Sequence, residues 1–352
     1  MDKVVDLYLN NSATRQKWED FLKKLGIKDF SEREVDTIDH TFGLVDEDNK
    51  LVGTGSVAGN VLKYIAVCNE DATSGARFNK IVTTLQQYLF NEKIFHMFVF
   101  TKAKYSDSFQ HLNFTELAKT KEAAFLESGT PNVLDYMRSL PKISDQENKQ
   151  VGAIVMNANP FTLGHRHLVE LASQENDLVY VFVVASDLSL FKTDERMQLV
   201  KEGLKDLKNV KVVSGNDYLV SSATFPAYFL PSPKDLIDQQ TAIDAQVFKN
   251  IIAPPLYINR RYVGKEPLSM TTHYYNVSLA HELGPTVDVI TIPRMEVDNK
   301  VISATEVRQL IKSGDLTDLA KLVPVTTEQF IKDNLATLQE RIKKGQYIKN
   351  GN

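Results

Sequence analysis

The residues best suited to chemistry lie in Asn157-Ala-Asn-Pro-Phe-Thr-Leu-Gly-His165. Thr162 brings a hydroxyl, His165 an imidazole, and Gly164 a backbone that a ligand can approach closely. The preceding run, Val151-Gly-Ala-Ile-Val-Met156, has the unbroken apolar character of a buried strand. Behind the motif, Leu168, Leu171 and Ala172 recur at helical spacing. These residues therefore fall where a strand turns into a helix. Unpaired N–H groups and the positive end of the helix dipole meet there, so the junction suits a phosphate. A helix N-terminus works against an imidazolium and a polyphosphate works for it, but either form offers an N–H donor. The plainer alternative makes Thr162 a helix cap and His165 an incidental polar residue. His167 faces elsewhere on the helix and stays outside the set.

A second segment, Ile302-Ser-Ala-Thr-Glu-Val-Arg308, also follows a strand-like run, Thr286-Val-Asp-Val-Ile-Thr-Ile292, and opens a helix. Ser303 and Glu306 have capping-box spacing, which explains them structurally, yet a capped helix start is also an anion site. Arg308 adds a planar fork able to hold two phosphate oxygens. Arg196 and Lys192 lie near another helix start, in Lys192-Thr-Asp-Glu-Arg-Met197. Asn157, Asn159, Pro160 and Phe161 shape the first turn, where Asn and Pro are common for conformational reasons alone.

The elements that must position these residues alternate. Leu178–Ala185, Asn209–Val213, Pro255–Ile258 and Val287–Ile292 read as further strands, with a helix over Asp194–Leu207 and helical sequence from Ser303 to the end. Continuous apolar strands separated by helices imply a parallel α/β sheet covered on both faces, with ligands beyond the carboxyl ends of its strands. A proline-led polar stretch, Pro141–Gln150, is the expected boundary, giving domains 1–144 and 145–352. Before it come a helix over Ser12–Leu25, a hairpin (Thr41–Val45 and Lys50–Val57), a strand at Val61–Val67, a helix behind Gly75 and a strand at Ile94–Phe100.

Thr-x-Gly-His and Ile-Ser-x-Thr-x-Val-Arg, in this order and on these elements, resemble the nucleotidylyltransferase superfamily. The resemblance implies a Rossmann-like fold that binds ATP through Asn157, Asn159, Pro160, Phe161, Thr162, Gly164, His165, Arg196, Ser303, Thr305 and Arg308, with Thr162, His165 and Arg308 catalytic. His165 would stabilise the transition state, and Ser303, Thr305 and Arg308 would hold the β- and γ-phosphates. Arg196 matches the superfamily's recurring Glu-Arg. The first domain resembles a GNAT-type N-acetyltransferase, an α+β fold. Only Gly75 remains of that family's pyrophosphate turn, in Ala72–Arg77.

A GNAT-like domain ahead of a nucleotidylyltransferase-like one resembles the citrate lyase ligase family over nearly the whole chain. The segments that carry this are Asn157–Glu170, Ser221–Leu230, Asn259–Pro267 and Ile292-Pro-Arg294. Membership implies that acetate attacks ATP to give acetyl-AMP. The acetyl group would then pass to the thiol of a phosphoribosyl-dephospho-CoA group on the citrate lyase acyl carrier subunit. Arg261 is either surface charge or a contact to acetate or AMP. Lys201, Lys205 and Lys208 fall near one helix face, solvated or facing an acidic carrier. The alternatives are an ordinary nucleotidylyltransferase acting on a phosphomonoester, such as phosphopantetheine or nicotinamide mononucleotide, and a non-catalytic adaptor. The presence of Thr162, His165, Ser303 and Arg308 speaks against the adaptor.

Composition sets outer bounds. The 352 residues carry a net charge of −4, which gives no general argument for nucleic acid or a membrane surface. A single cysteine, Cys68, rules out an intramolecular disulfide and suits a reducing cytoplasm. The first residues lack the apolar core of a signal peptide, and no apolar run approaches the ~20 residues of a membrane span. No histidine spacing suggests a metal held by the protein, so Mg2+ is expected to arrive as Mg-ATP.

Overall fold

Two sheets organise the chain, each built largely from the apolar runs. The computed structural model describes residues 2–27, 30, 32–69, 73, 75–185, 189–219, 233–265, 270–298 and 300–345. Ser221–Leu230, Glu266, Pro267, Ala72 and Ser74 lie outside the described residues. The chain divides into two compact units, residues 1–139 with 225–239, and residues 140–224 with 240–352.

In the first unit the order is β1 (Lys3–Asp6), α1 (Ser12–Lys24), α2 (Glu32–Val35), β2 (His40–Val45), β3 (Leu51–Ala58), β4 (Val61–Val67) and α3 (Ala76–Asn91). There follow β5 (His96–Lys102), α4 (Ser106–Gln110), β6 (Thr115–Lys119), β7 (Ala123–Gly129) and α5 (Val133–Ser139). The described strands form one sheet, β1-β2-β3-β4-β5-β7-β6. Its neighbours are antiparallel except β4 and β5, which run parallel and pair only at Val61–Phe98 and Leu62–Val99. Beyond those pairs the strands part around a cavity of about 150 Å³. Ile65, Val67, Phe78, Phe100 and Phe109 are among its lining residues. This is the arrangement of a GNAT-like domain. Gly55 lets α3 approach the sheet, since a Cβ there would stand 2.7 Å from Leu85 Cδ1.

The start of α3 is closed by charge. Gly75 precedes it at φ +79°, with no side-chain cap. Arg77 donates through Nε to Asp2 Oδ2 at 2.7 Å and through Nη1 to the Cys68 carbonyl at 2.6 Å. Lys80 donates to the Asp2 carbonyl.

The second unit runs β8 (Val151–Met156), α6 (Leu163–Glu175), β9 (Leu178–Val183), α7 (Thr193–Gly203), β10 (Val210–Ser214), α8 (Pro233–Val247, of which residues 240–247 belong to this unit), β11 (Arg260–Gly264) and α9 (Met270–Leu283). It continues through β12 (Asp288–Ile292), β13 (Glu296–Val297), β14 (Lys300–Val301), α10 (Ala304–Ser313) and α11 (Val325–Lys343). Its main described sheet is parallel throughout, in the order β10-β9-β8-β11-β12. Ile154, Val181, Val183 and Tyr262 on one face pack in a core with Val169, Leu199, Val307 and Ile331 from α6, α7, α10 and α11. On the other face Phe182 and Arg261 both meet the Phe248 ring. The order reverses between β8 and β11, so the crevice for a ligand opens at their carboxyl ends.

Three expectations change. Pro255–Ile258 is no strand: Pro254–Leu256 forms a 3-10 turn and the strand begins at Arg260. Two consecutive prolines lack the N–H groups that a central strand needs. The helix expected over Asp194–Leu207 stops at Gly203. The region after Ser303 is broken between α10 and α11, where Gly314 adopts φ +80° as a left-handed cap. The Pro141–Gln150 stretch is docked by Gln146, which donates to the Leu256 carbonyl and accepts from the Ile143 N–H.

Candidate active site

The turn from β8 into α6 is held from several sides. Phe161 is fully buried, and its ring lies over α7 at Gly203, where a Cβ would stand 2.6 Å from it. Asn159 Oδ1 accepts the Phe191 N–H at 3.1 Å, and the Asn159–Pro160 peptide is cis. Asn157 Nδ2 lies 3.3 Å from Ser189 Oγ. Asn157, Asn159, Pro160 and Phe161 thus shape the turn, and the side chains of both asparagines bond to protein.

Thr162 caps α6, and the cap decides the chemistry of His165. The His165 N–H donates to Thr162 Oγ1 at 3.3 Å, while the Thr162 N–H donates to His165 Nδ1 at 3.1 Å. A backbone N–H can only donate, so Nδ1 is an acceptor and the neutral ring carries its proton on Nε2. Burial, then the charges of Arg294 and Arg308, push the His165 pKa down to about 4. His165 is therefore a neutral Nε2–H donor near pH 7. At the same helix start the Leu163 N–H is taken by the Leu322 carbonyl. Among the described residues the Gly164 N–H has no protein acceptor. A Cβ on Gly164 would meet protein at 3.6 Å or more, so protein packing alone does not demand glycine there.

The start of α10 stands beside this turn. Ser303 Oγ accepts the Glu306 N–H at 3.1 Å. Arg308 is buried; its Nη1 donates to the Asn159 carbonyl at 2.5 Å and its Nη2 to Thr305 Oγ1 at 3.0 Å. Burial lowers its pKa to about 10, which leaves it charged at neutral pH. The Ile302 carbonyl is the backbone atom nearest to where a Gly164 Cβ would stand. Thr162, Gly164, His165, Ser303, Thr305 and Arg308 are thus brought together at the carboxyl ends of the central strands.

Two other candidates are placed differently. Arg196 is fully buried, and its donors go to protein oxygens: Nε to Phe191 O, Nη1 to Asn157 O and Val184 O, and Nη2 to Thr193 Oγ1. It clamps the turn. Arg261 sits three residues short of the end of β11, under α8 and α9, 2% exposed. Its Nη2 meets Asp244 Oδ2 at 3.2 Å and Tyr275 Oη at 3.3 Å. Nε and Nη1 have no hydrogen-bond partner, and the Phe248 ring covers the guanidinium at 4.6 Å. The structure therefore does not bring Arg261 to the crevice; it braces the sheet against α8 and α9.

One residue of the site was not singled out from sequence. Arg294, just past β12, donates through Nε to the Lys265 carbonyl at 3.0 Å, and its charge reaches His165. The available signal was its place in Ile292-Pro-Arg294, directly after a strand.

The second unit is a three-layer parallel α/β fold with two capped helix starts at its switch point, and the first is a mixed α+β fold built on one sheet. The citrate lyase ligase C-terminal domain matches residues 151–331. The chain is 33% identical to the citrate (pro-3S)-lyase ligase of Escherichia coli strain K12, over 94% of this chain and 96% of that one. The chain belongs to the citrate lyase ligase family. Among solved structures, an N-acetyltransferase from Staphylococcus aureus Mu50 covers 38% of this chain and 99% of its own, at 12% identity and a TM-score of 0.31. A bifunctional NMN adenylyltransferase/ADP ribose pyrophosphatase from Francisella tularensis covers 56% of this chain and 54% of its own, at 18% identity and a TM-score of 0.35. No helix among the described residues is long and apolar enough to cross a membrane.

Proposed function

We propose that the second unit joins acetate to the AMP portion of ATP and that the acetyl group then passes to the prosthetic thiol of a citrate lyase acyl carrier, activating that lyase. The observation that carries the chemistry is the fixed Nε2–H of His165, set beside Arg308 at one crevice. An acetate oxygen attacks the α-phosphorus, the bond to the β-phosphate oxygen breaks, and pyrophosphate leaves with the electron pair. Little covalent work falls to the protein, so positioning and charge stabilisation set the rate.

Thr162 sets the tautomer, His165 donates to a phosphate oxygen, and the Gly164 N–H supplies a second donor. Ser303, Thr305 and Arg308 line the side where the β- and γ-phosphates fit. Mg2+ would be held mainly by the phosphates themselves. In the second step the thiol sulfur attacks the acetyl carbonyl carbon, AMP leaves, and the thiol proton is released. We assign this adenylate chemistry to the second unit and the carrier or its prosthetic arm to the first. There Arg77 is engaged by Asp2, which fits poorly with independent acetyl-CoA chemistry.

The test is acetate-dependent exchange of labelled pyrophosphate into ATP. Exchange that requires acetate supports the reading; exchange that requires a phosphomonoester instead replaces it with the ordinary nucleotidylyltransferase. His165→Ala removes one preorganised donor and is expected to slow exchange about 100- to 1000-fold; it also leaves the Thr162 N–H without its acceptor, so the melting temperature should fall modestly. Near-wild-type exchange in that variant removes His165 from the mechanism.

A further inference from the structure

We infer that Arg294 is a further catalytic residue, whose guanidinium holds the β- and γ-phosphate oxygens of ATP and then the departing pyrophosphate; the inference rests on the adenylate-forming reading above. Three observations converge on it. The short hairpin pairs Glu296 with Val301 and Val297 with Lys300. One step further the Ile302 N–H donates to the Met295 carbonyl at 3.1 Å. Continuing that register sets Arg294 opposite Ser303, the cap of α10. Directly opposed residues in such a pair have Cβ atoms only about 4.5–5.5 Å apart. The backbone bond nearest to Arg294 in this hairpin, Ile302 N–H to the Met295 carbonyl, lies next to the helix start that carries Ser303, Thr305 and Arg308.

The side chain is also aimed. Nε donates to the carbonyl of Lys265, one residue beyond β11, so the side chain reaches back across the strand ends towards the switch point. Its charge acts on His165, which lies on the other helix start. Arg294 is half-buried, so a ligand can reach it.

The chemistry needs a cation in this place. As the bond between the α-phosphorus and the bridging oxygen breaks, its electron pair passes to that oxygen and negative charge grows on pyrophosphate. A fixed guanidinium stabilises that charge most when it has formed, so it favours the transition state over bound ATP.

The experiment uses the full-length chain with Arg294→Gln and Arg294→Lys. Calorimetry measures binding of magnesium pyrophosphate, and exchange assays give rates and the KM for acetate. We expect Arg294→Gln to weaken pyrophosphate binding about 10- to 100-fold and to slow exchange at least as much, with the acetate KM unchanged. Arg294→Lys should recover part of both. NMR titration of His165 should show its pKa raised in Arg294→Gln and less so in Arg294→Lys. Pyrophosphate affinity within about twofold of wild type in Arg294→Gln overturns the proposal, whatever the thermal stability does. If wild type exchanges pyrophosphate without needing acetate, the adenylate reading fails, while pyrophosphate binding still decides Arg294.

Discussion

The starts of α3 and α6 make an instructive pair. Each follows a strand, each has a glycine at the junction, and each presents the positive end of a helix. At α3 the nearby cation is neutralised, since Arg77 meets the Asp2 carboxylate at 2.7 Å. At α6 the nearby cation is Arg308, which donates to the Asn159 carbonyl and to the Thr305 hydroxyl. The two starts differ in build: α3 opens on a left-handed glycine beside an ion pair, whereas α6 opens on an extended threonine whose side chain caps the helix. Arg261 shows that such pairing follows the partner and not the unit: it lies in the second unit, yet Asp244 matches it at 3.2 Å.

That contrast can be broken most forcefully at Arg261. Arg261→Met leaves the Asp244 carboxylate buried and uncompensated, an expected loss of about 3–5 kcal/mol in stability. Adding Asp244→Leu should restore much of it. Urea unfolding measures the loss, and exchange kinetics run on whatever fraction folds should give an unchanged acetate KM. A raised acetate KM at unaltered stability would make Arg261 a substrate contact after all.

Arg308→Lys comes next. A lysine cannot reach both the Asn159 carbonyl and Thr305 with a planar fork, so one buried group goes unpaired at about 1–3 kcal/mol. ATP affinity should fall and the melting temperature of the ligand-free chain should fall with it. Sequence alone suggests only the first effect. A fall in ATP affinity at constant melting temperature would show that the Asn159 bond does not matter to folding.

The smallest effect belongs to Asp2→Asn, which opens the α3 joint. Such a partly exposed pair contributes less than about 1 kcal/mol, and pyrophosphate exchange should not change. A substantial drop in exchange would mean that the closed joint serves the chemistry.

Much of this was readable before any coordinates. Thr162, Gly164, His165, Ser303 and Arg308 are short-range patterns: a cap, a glycine and a helix start leave their mark within a few residues. The parallel sheet was legible because strands buried on both faces are continuously apolar. What escaped depends on distant partners. Arg196 and Arg308 have the same composition signal, yet one bonds to Asn157 and Val184 while the other ties Asn159 to Thr305 between the two helix starts. Arg261 reads as surface charge or a substrate contact because Asp244 lies 17 residues away on another element. Arg294 was hidden because its importance comes from a hairpin of two-residue strands, too short to show periodicity.

The bond from Arg308 to the Asn159 carbonyl joins residues 149 positions apart. It therefore has a meaning in time as well as in space. On the ribosome the His165 turn is made long before its arginine, and a nascent chain that has not reached Arg308 lacks the bond that ties the two helix starts together. That tie can form only once most of the second unit has been synthesised, so the order of translation places it among the last contacts of the unit to close.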